Sequence, residues 1–307
     1  DTREGISYAP FPVHISSDAI DPYIAYRLIE PGYESWSEMG IYQRELATYK
    51  EKTITTNKIN DKGCINCHSF ENKSQEHFLF HARGNGGGTV FVNGNDIQKV
   101  NLATIGPMKQ GTYPAWNPDG RYVAFSSNTT QQCFMLDGSQ PIEVYDTESD
   151  IIILDTQSGE ILADQRVCGE ELMETFPCWT PTGDKIFYCS APFPGPEDTP
   201  DSMRTKFIVN NYKDIKYNVM SLTFDASTQT FGEPKLEVDC HSMGGSASVP
   251  RVSPDGKFVL FTMGEYGQFH IWHKSSDLYV KNLDNILSST GETLLTDAGK
   301  ISHEQAI

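Results

Sequence analysis

Three stretches of this chain repeat one pattern, and a recurring unit with its turn chemistry intact limits the fold more than any single residue does. They are Tyr113-Pro-Ala-Trp-Asn-Pro-Asp-Gly-Arg-Tyr-Val-Ala-Phe-Ser126, Phe176-Pro-Cys-Trp-Thr-Pro-Thr-Gly-Asp-Lys-Ile-Phe-Tyr-Cys189 and Val249-Pro-Arg-Val-Ser-Pro-Asp-Gly-Lys-Phe-Val-Leu-Phe-Thr262. Each reads as strand, turn, strand. Pro118-Asp119-Gly120 and Pro254-Asp255-Gly256 place a fixed φ, a side chain that caps its own turn and a residue free to take positive φ in the order a tight hairpin requires. Pro181-Thr182-Gly183 is a weaker copy.

The segment after each turn is mostly apolar and rich in Val, Ile, Phe and Tyr, as suits a strand covered on both faces. A second strand follows downstream, at 150–159, 217–225 and 277–283. The unit is therefore a blade, and the expected fold is all-β, a β-propeller. The Pro-x-Trp-x-Pro-Asp-Gly signature with a later Asp277-Leu278-Tyr279 strand resembles the TolB-type, WD-repeat-like propeller family over about residues 77–296. That resemblance implies a propeller face that holds a partner or a glycan, or serves envelope assembly. The prolines at 114, 177 and 250 lie 63 and 73 residues apart, more than the roughly 40–45 of a WD repeat. Insertions must lengthen the units, and 129–139 and 192–213 are the evident ones.

Upstream, His77 to Ala82 and Thr89 to Gly94 read as strands of a divergent blade, with Asn93-Gly94 marking a hairpin. Strands also suit 23–28 and 53–59, although 35–52 equally suits a helix. The sequence thus divides into an N-terminal extension, 1–76, and a propeller, 77–307, to which 23–57 can add strands.

The site that carries chemistry lies in the extension: Cys64-Ile-Asn-Cys67-His68. This is the c-type haem attachment pattern, in which two thiols add to haem vinyl groups and the adjacent imidazole ligates iron. For this composition a chance occurrence is on the order of 0.4%. A redox dithiol would want a βαβ context, and a structural zinc a second ligand pair at short spacing; the sequence offers neither. One covalent haem c is expected, held by Cys64 and Cys67 on a loop beside the propeller, with His68 the proximal ligand. No room remains before His77 for the helices of an ordinary cytochrome c domain. His81 is the first candidate for the distal ligand and His77, on the same face of that strand, the second; Met39 and Met108 stand behind them, and an open sixth position is the remaining alternative.

Haem attachment takes place outside the cytoplasm, so the motif implies a periplasmic or cell-surface protein whose export signal has been removed, with a lipid anchor possible. The start at Asp1 fits that reading. A net charge of -17 excludes nucleic acid as a partner, because phosphate binding rests on Lys and Arg, and favours a basic redox or envelope partner. No run of about 18 apolar residues is present to span a bilayer. The other cysteines, 133, 168, 178, 189 and 240, read as structural.

Three further features carry less. Gly84-Asn-Gly-Gly-Gly88 meets neither nucleotide fingerprint, and Gly244-Gly-Ser246-Ala-Ser248 lacks the last glycine of a nucleophile elbow. His270, Trp272 and His273 near Asp277 suit a hydrogen-bonding cluster. An electron carrier is therefore the first reading of function and a TolB-like binding or assembly module the second; a redox enzyme rests on fold analogy with haem-bearing propeller nitrite reductases alone.

Overall fold

The repeated turns set the frame. Asn117 N donates to Tyr122 O, Thr180 N to Lys185 O and Ser253 N to Phe258 O, at 2.8, 2.9 and 2.8 Å. Inside each, Gly120, Gly183 and Gly256 take φ of 78, 74 and 73°, a region open to glycine at little cost. In the first and third turns the Asp side chain caps the exit, Asp119 accepting from Arg121 N and Asp255 from Lys257 N.

The computed structural model describes residues 15, 17, 19–29, 38–84, 86–105, 110–134, 142–283 and 298–300, which form five antiparallel sheets. The first has three strands, β1 (Tyr23–Ile29), β2 (Met39–Glu45) and β3 (Glu51–Thr56). The second runs β4 (Ile65–Phe70), β5 (His77–Ala82), β6 (Gly88–Asn93) and β7 (Asp96–Val100). The third contains β8 (Gly111–Trp116), β9 (Tyr122–Phe134), β10 (Ile142–Asp155) and β11 (Ile161–Leu162). The fourth contains β12 (Leu172–Trp179), β13 (Lys185–Pro192), β14 (Asn218–Asp225), β15 (Thr230–Phe231) and β16 (Lys235–Val238), with helix α1 (Asp201–Asn211) between β13 and β14. The last comprises β17 (Ser246–Val252), β18 (Phe258–Gly264), β19 (Asp277–Asn282) and β20 (Ala298–Lys300).

The leading strands of consecutive sheets stand side by side, β4 against β8, β8 against β12 and β12 against β17. That is blade-on-blade packing about an axis. The core is correspondingly sliced: Met39, Ile41, Phe78 and Phe80 fill the space between the first two blades, Leu79, Val123, Phe125 and Ile152 the next, and Tyr122, Trp179, Ile186 and Phe224 the one after. Alternation along β5 sends Phe78 and Phe80 to one neighbour and Leu79 to the other, which is why these strands are apolar on both faces.

Two segments fold otherwise than the sequence suggests. Residues 39–45 and 51–56 are strands, with no helix between them. Residues 65–70, expected in a loop beside the propeller, form β4, the leading strand of the second blade, so this blade begins before His77. Asn, Cys, His and Ser lack the branched, apolar character by which a strand is recognised locally, and here the partner strands decide.

Candidate functional site

Each leading strand carries the same irregularity. Pairing with the second strand slips by a bulge between Asn66 and Ser69, Thr112 and Ala115, Thr175 and Cys178, and Ser248 and Arg251. At the bulge one non-glycine residue takes positive φ: Cys67 at 56°, Tyr113 at 48°, Phe176 at 56° and Val249 at 49°. Pro114, Pro177 and Pro250 follow the last three; His68 follows the first. The indoles confirm the superposition, since Trp116 Nε1 donates to Ser69 O at 3.2 Å and Trp179 Nε1 to Ala115 O at 3.0 Å, Ser69 and Ala115 being equivalent positions. Cys67-His68 is thus the second blade's version of the pair that the other three blades close with proline.

The chain leading into it is tightly held. Asn60 Nδ2 donates to Arg83 O at 2.8 Å and to Cys64 O at 3.3 Å, and Arg83 N donates to Cys64 O at 2.7 Å. Gly63 is pressed against this knot, where a Cβ would lie 2.3 Å from Arg83 O. Cys64 is 7% exposed and packs with Met39 and Phe80; Met39 Sδ accepts from Ile65 N at 3.3 Å. Arg27 of β1 reaches Ile65 O at 3.5 Å.

Two guanidinium groups serve the cysteines. Burial raises the Cys64 thiol pKa and the charges of Arg83 and Arg27 act against it; Cys67 is likewise raised by burial, opposed by a hydrogen bond from the Tyr113 backbone and then by Arg83 and Arg27. A redox dithiol shows the reverse, a lowered thiol. Burial, aided by Arg27, lowers the His68 pKa and keeps its ring neutral. Arg83 Nε is buried with no hydrogen-bond partner.

The residues named from sequence do not all converge. Cys64, Cys67 and His68 are together, and the His68 ring lies edge-on to Phe70, 5.9 Å between centroids, on the side turned to the first blade. His81 shares a face with Leu79, the face turned to the third blade, and its Nδ1 meets Thr89 Oγ1 at 3.1 Å; burial lowers its pKa to about 4. His77 Nδ1 sits 3.1 Å from Glu71 Oε2. Of the two methionines, Met39 adjoins the motif and Met108 lies outside the described residues. Cys64 and Cys67 are free thiols, not joined to each other. Arg27 and Arg83 went unmarked in the sequence, because a lone arginine has no spacing to read.

His270 and His273 are buried elsewhere, with Glu143 as the partner that sequence gave no sign of. His273 Nε2 stands 3.7 Å from Glu143 Oε1, Tyr266 OH donates to Glu143 Oε2 at 2.9 Å, and His270 Nε2 is shared between Tyr266 O and Gly267 O. Among the described residues no group of three or more His, Cys, Asp or Glu is placed to hold a metal ion, and no helix is long and apolar enough to cross a membrane.

No protein-family model and no curated protein matches the sequence. Solved structures do share the fold. TolB from Acinetobacter baumannii matches with a TM-score of 0.50 at 11% identity, over 86% of this chain and 51% of that one. A puromycin-hydrolyzing peptidase from Mycobacterium tuberculosis matches with a TM-score of 0.51 at 9% identity, over 93% and 38%. The chain spans about half the length of that TolB and less of the peptidase. At such identities the likeness is one of fold, and in fold this chain is a β-propeller built of TolB-like blades.

Proposed function

We propose that the chain is an extracytoplasmic propeller that carries one covalent haem c and serves electron transfer. The observation that supports this most is the substitution at the bulge: where three blades place Tyr113-Pro114, Phe176-Pro177 and Val249-Pro250, this one places Cys67-His68, three residues after Cys64. A fixed backbone position is thereby given two thiols and an imidazole.

The surrounding residues fit the group. Two free cysteines lie in a mostly apolar setting, a half-buried histidine follows, and the unpartnered Arg83 Nε offers a buried donor for an anion such as a haem propionate. Bound haem supplies a one-electron couple whose potential depends on axial ligation and burial. Cys64 and Cys67 would anchor it, His68 would bind the iron, and Arg27 and Arg83 would balance propionate charge. Attachment requires export, which puts the protein in the periplasm or at the cell surface; the charge of -17 favours a basic docking surface on its redox partner.

The test is a variant series made where haem-attaching machinery acts. Cys64→Ser with Cys67→Ser abolishes covalent haem; His68→Ala keeps the attachment and shifts the spectrum, because the iron loses its proximal ligand. A wild-type preparation without haem, with both thiols titratable, contradicts the reading.

A second reading, a binding or assembly module in which haem is structural or sensory, is favoured by polar groups gathered from several blades. Asp146 is bonded by Asn128 and Thr130, with Arg83 and Gln268 also favouring its charge, while Asn128 Oδ1 and Arg83 Nε are buried without hydrogen-bond partners. Such atoms call for water or a ligand. Redox titration separates the readings, since a reversible couple unaffected by losing partner capture belongs to the carrier.

A further inference from the structure

His68 can fill one axial position of a haem iron, and the second sheet sorts the side chains that could fill the other. Along β5 successive residues turn to opposite faces. Phe78, Phe80 and Ala82 pack toward the first blade with Cys64 and Ile65, while Leu79 packs toward the third with Leu102 and Val123. His77 and His81 share the face of Leu79. His68 belongs to the other face, because its ring meets Phe70 edge-on and Phe70 lies 5.3 Å from Phe78. Both imidazoles are also committed, His81 Nδ1 to Thr89 Oγ1 and His77 Nδ1 to Glu71 Oε2, each at 3.1 Å. The sheet therefore stands between His68 and either histidine.

Met39 stands on the same side as His68. It opens β2, is 5% exposed, and packs with Cys64, Ile65 and Phe80 between the first two blades. The first blade holds both backbone groups of Ile65: its N–H donates to Met39 Sδ at 3.3 Å and its carbonyl accepts from Arg27 at 3.5 Å. Register brings the two side chains there together, since Arg27 pairs with Ile41 and Ile29 with Met39. The sulfur is thus held one residue along from Cys64. A thioether sulfur has a second lone pair, and among the described residues no other donor meets it. It is neutral and soft, so it adds neither charge nor proton beside two guanidinium groups, and an unbranched side chain lets it turn toward iron.

We propose that Met39 is the distal axial ligand, its sulfur taking the sixth position of the haem iron that His68 binds. The assignment rests on the haem reading above and gives it a direction. Ligation by His and Met raises the reduction potential relative to a pair of histidines, so the protein gives up its electron only to an acceptor of still higher potential. It also gives the three-stranded first blade a part in the site.

The experiment is absorption and magnetic circular dichroism spectroscopy of the full chain, exported in a host with haem-attaching machinery, together with carbon monoxide binding and redox titration. Wild type is expected to be low-spin and six-coordinate, with the weak far-red band of ferric haem bound by sulfur. Met39→Leu, close in volume and so expected to fold, keeps covalent haem, loses that band and, with an open position, binds carbon monoxide at least tenfold faster in the ferrous state. Met39→His stays low-spin, without the band and at a lower potential. Met108→Leu, His77→Ala and His81→Gln keep the wild-type spectrum. Covalent haem without the far-red band in wild type, the band retained in Met39→Leu, or the band lost in Met108→Leu overturns the assignment of Met39 and leaves the haem reading standing. Wild type without covalent haem overturns both.

Discussion

Gly63 shows how much of the site rests on one missing carbon. Its Cα faces the carbonyl of Arg83 so closely that a Cβ would lie 2.3 Å away, against backbone that Asn60 already holds. Gly63→Ala should therefore cost about 1–3 kcal/mol by overpacking, read as a lower urea midpoint, and should reduce haem loading by displacing Cys64. Val249 makes the opposite case. A β-branched residue at φ 49° is strained, and it is partly exposed, so few contacts compensate. Val249→Gly should raise stability or leave it unchanged within about 1 kcal/mol; a loss above that would show the side chain is needed at the bulge.

At the scale of elements, blades are bolted together by repeated tryptophans. The bond from Trp179 Nε1 to Ala115 O ties the fourth blade to the third, as that from Trp116 to Ser69 O ties the third to the second. Trp179→Phe should cost about 1 kcal/mol or somewhat more, from the hydrogen bond and lost packing together, measurable by thermal or urea unfolding. Much of this layer was legible from sequence, because Pro-Asp-Gly turns and doubly apolar strands are local signals. β4 was not, since its residues look like loop; it joins the propeller by register with β5 and by the bulge it shares with three other strands. Cys64, Cys67 and His68 were legible as a group because they are neighbours in sequence, so no folding is needed to bring them together. Arg27, Arg83 and Glu143 come from distant elements and are brought in only by packing.

For the whole molecule, buried acids set the pH dependence. Glu174 titrates near 9 in the fold and near its ordinary value of 4.5 when unfolded; the folded state binds the extra proton, so this contribution is complete below about 4.5 and is lost as pH rises toward 9. Asp146, raised to about 6 from 3.8 by burial, acts the same way over its own window. His81 and His270, lowered to about 4 by burial, oppose both by losing stability as pH falls through 6.5 to 4. Urea midpoints from pH 6.5 to 9 should therefore decline, and Glu174→Gln should flatten the slope; an unchanged slope would place the proton elsewhere.

The axial arrangement gives this propeller one blade unlike the others, and the claim that the difference exists to hold haem is the one to test first. Wild-type protein, exported in a host with haem-attaching machinery, should show by intact mass a single population heavier by one haem, with a pyridine haemochrome of c type at one per chain. Protein of unmodified mass, with Cys64 and Cys67 both alkylatable, would contradict it and leave a TolB-like binding module.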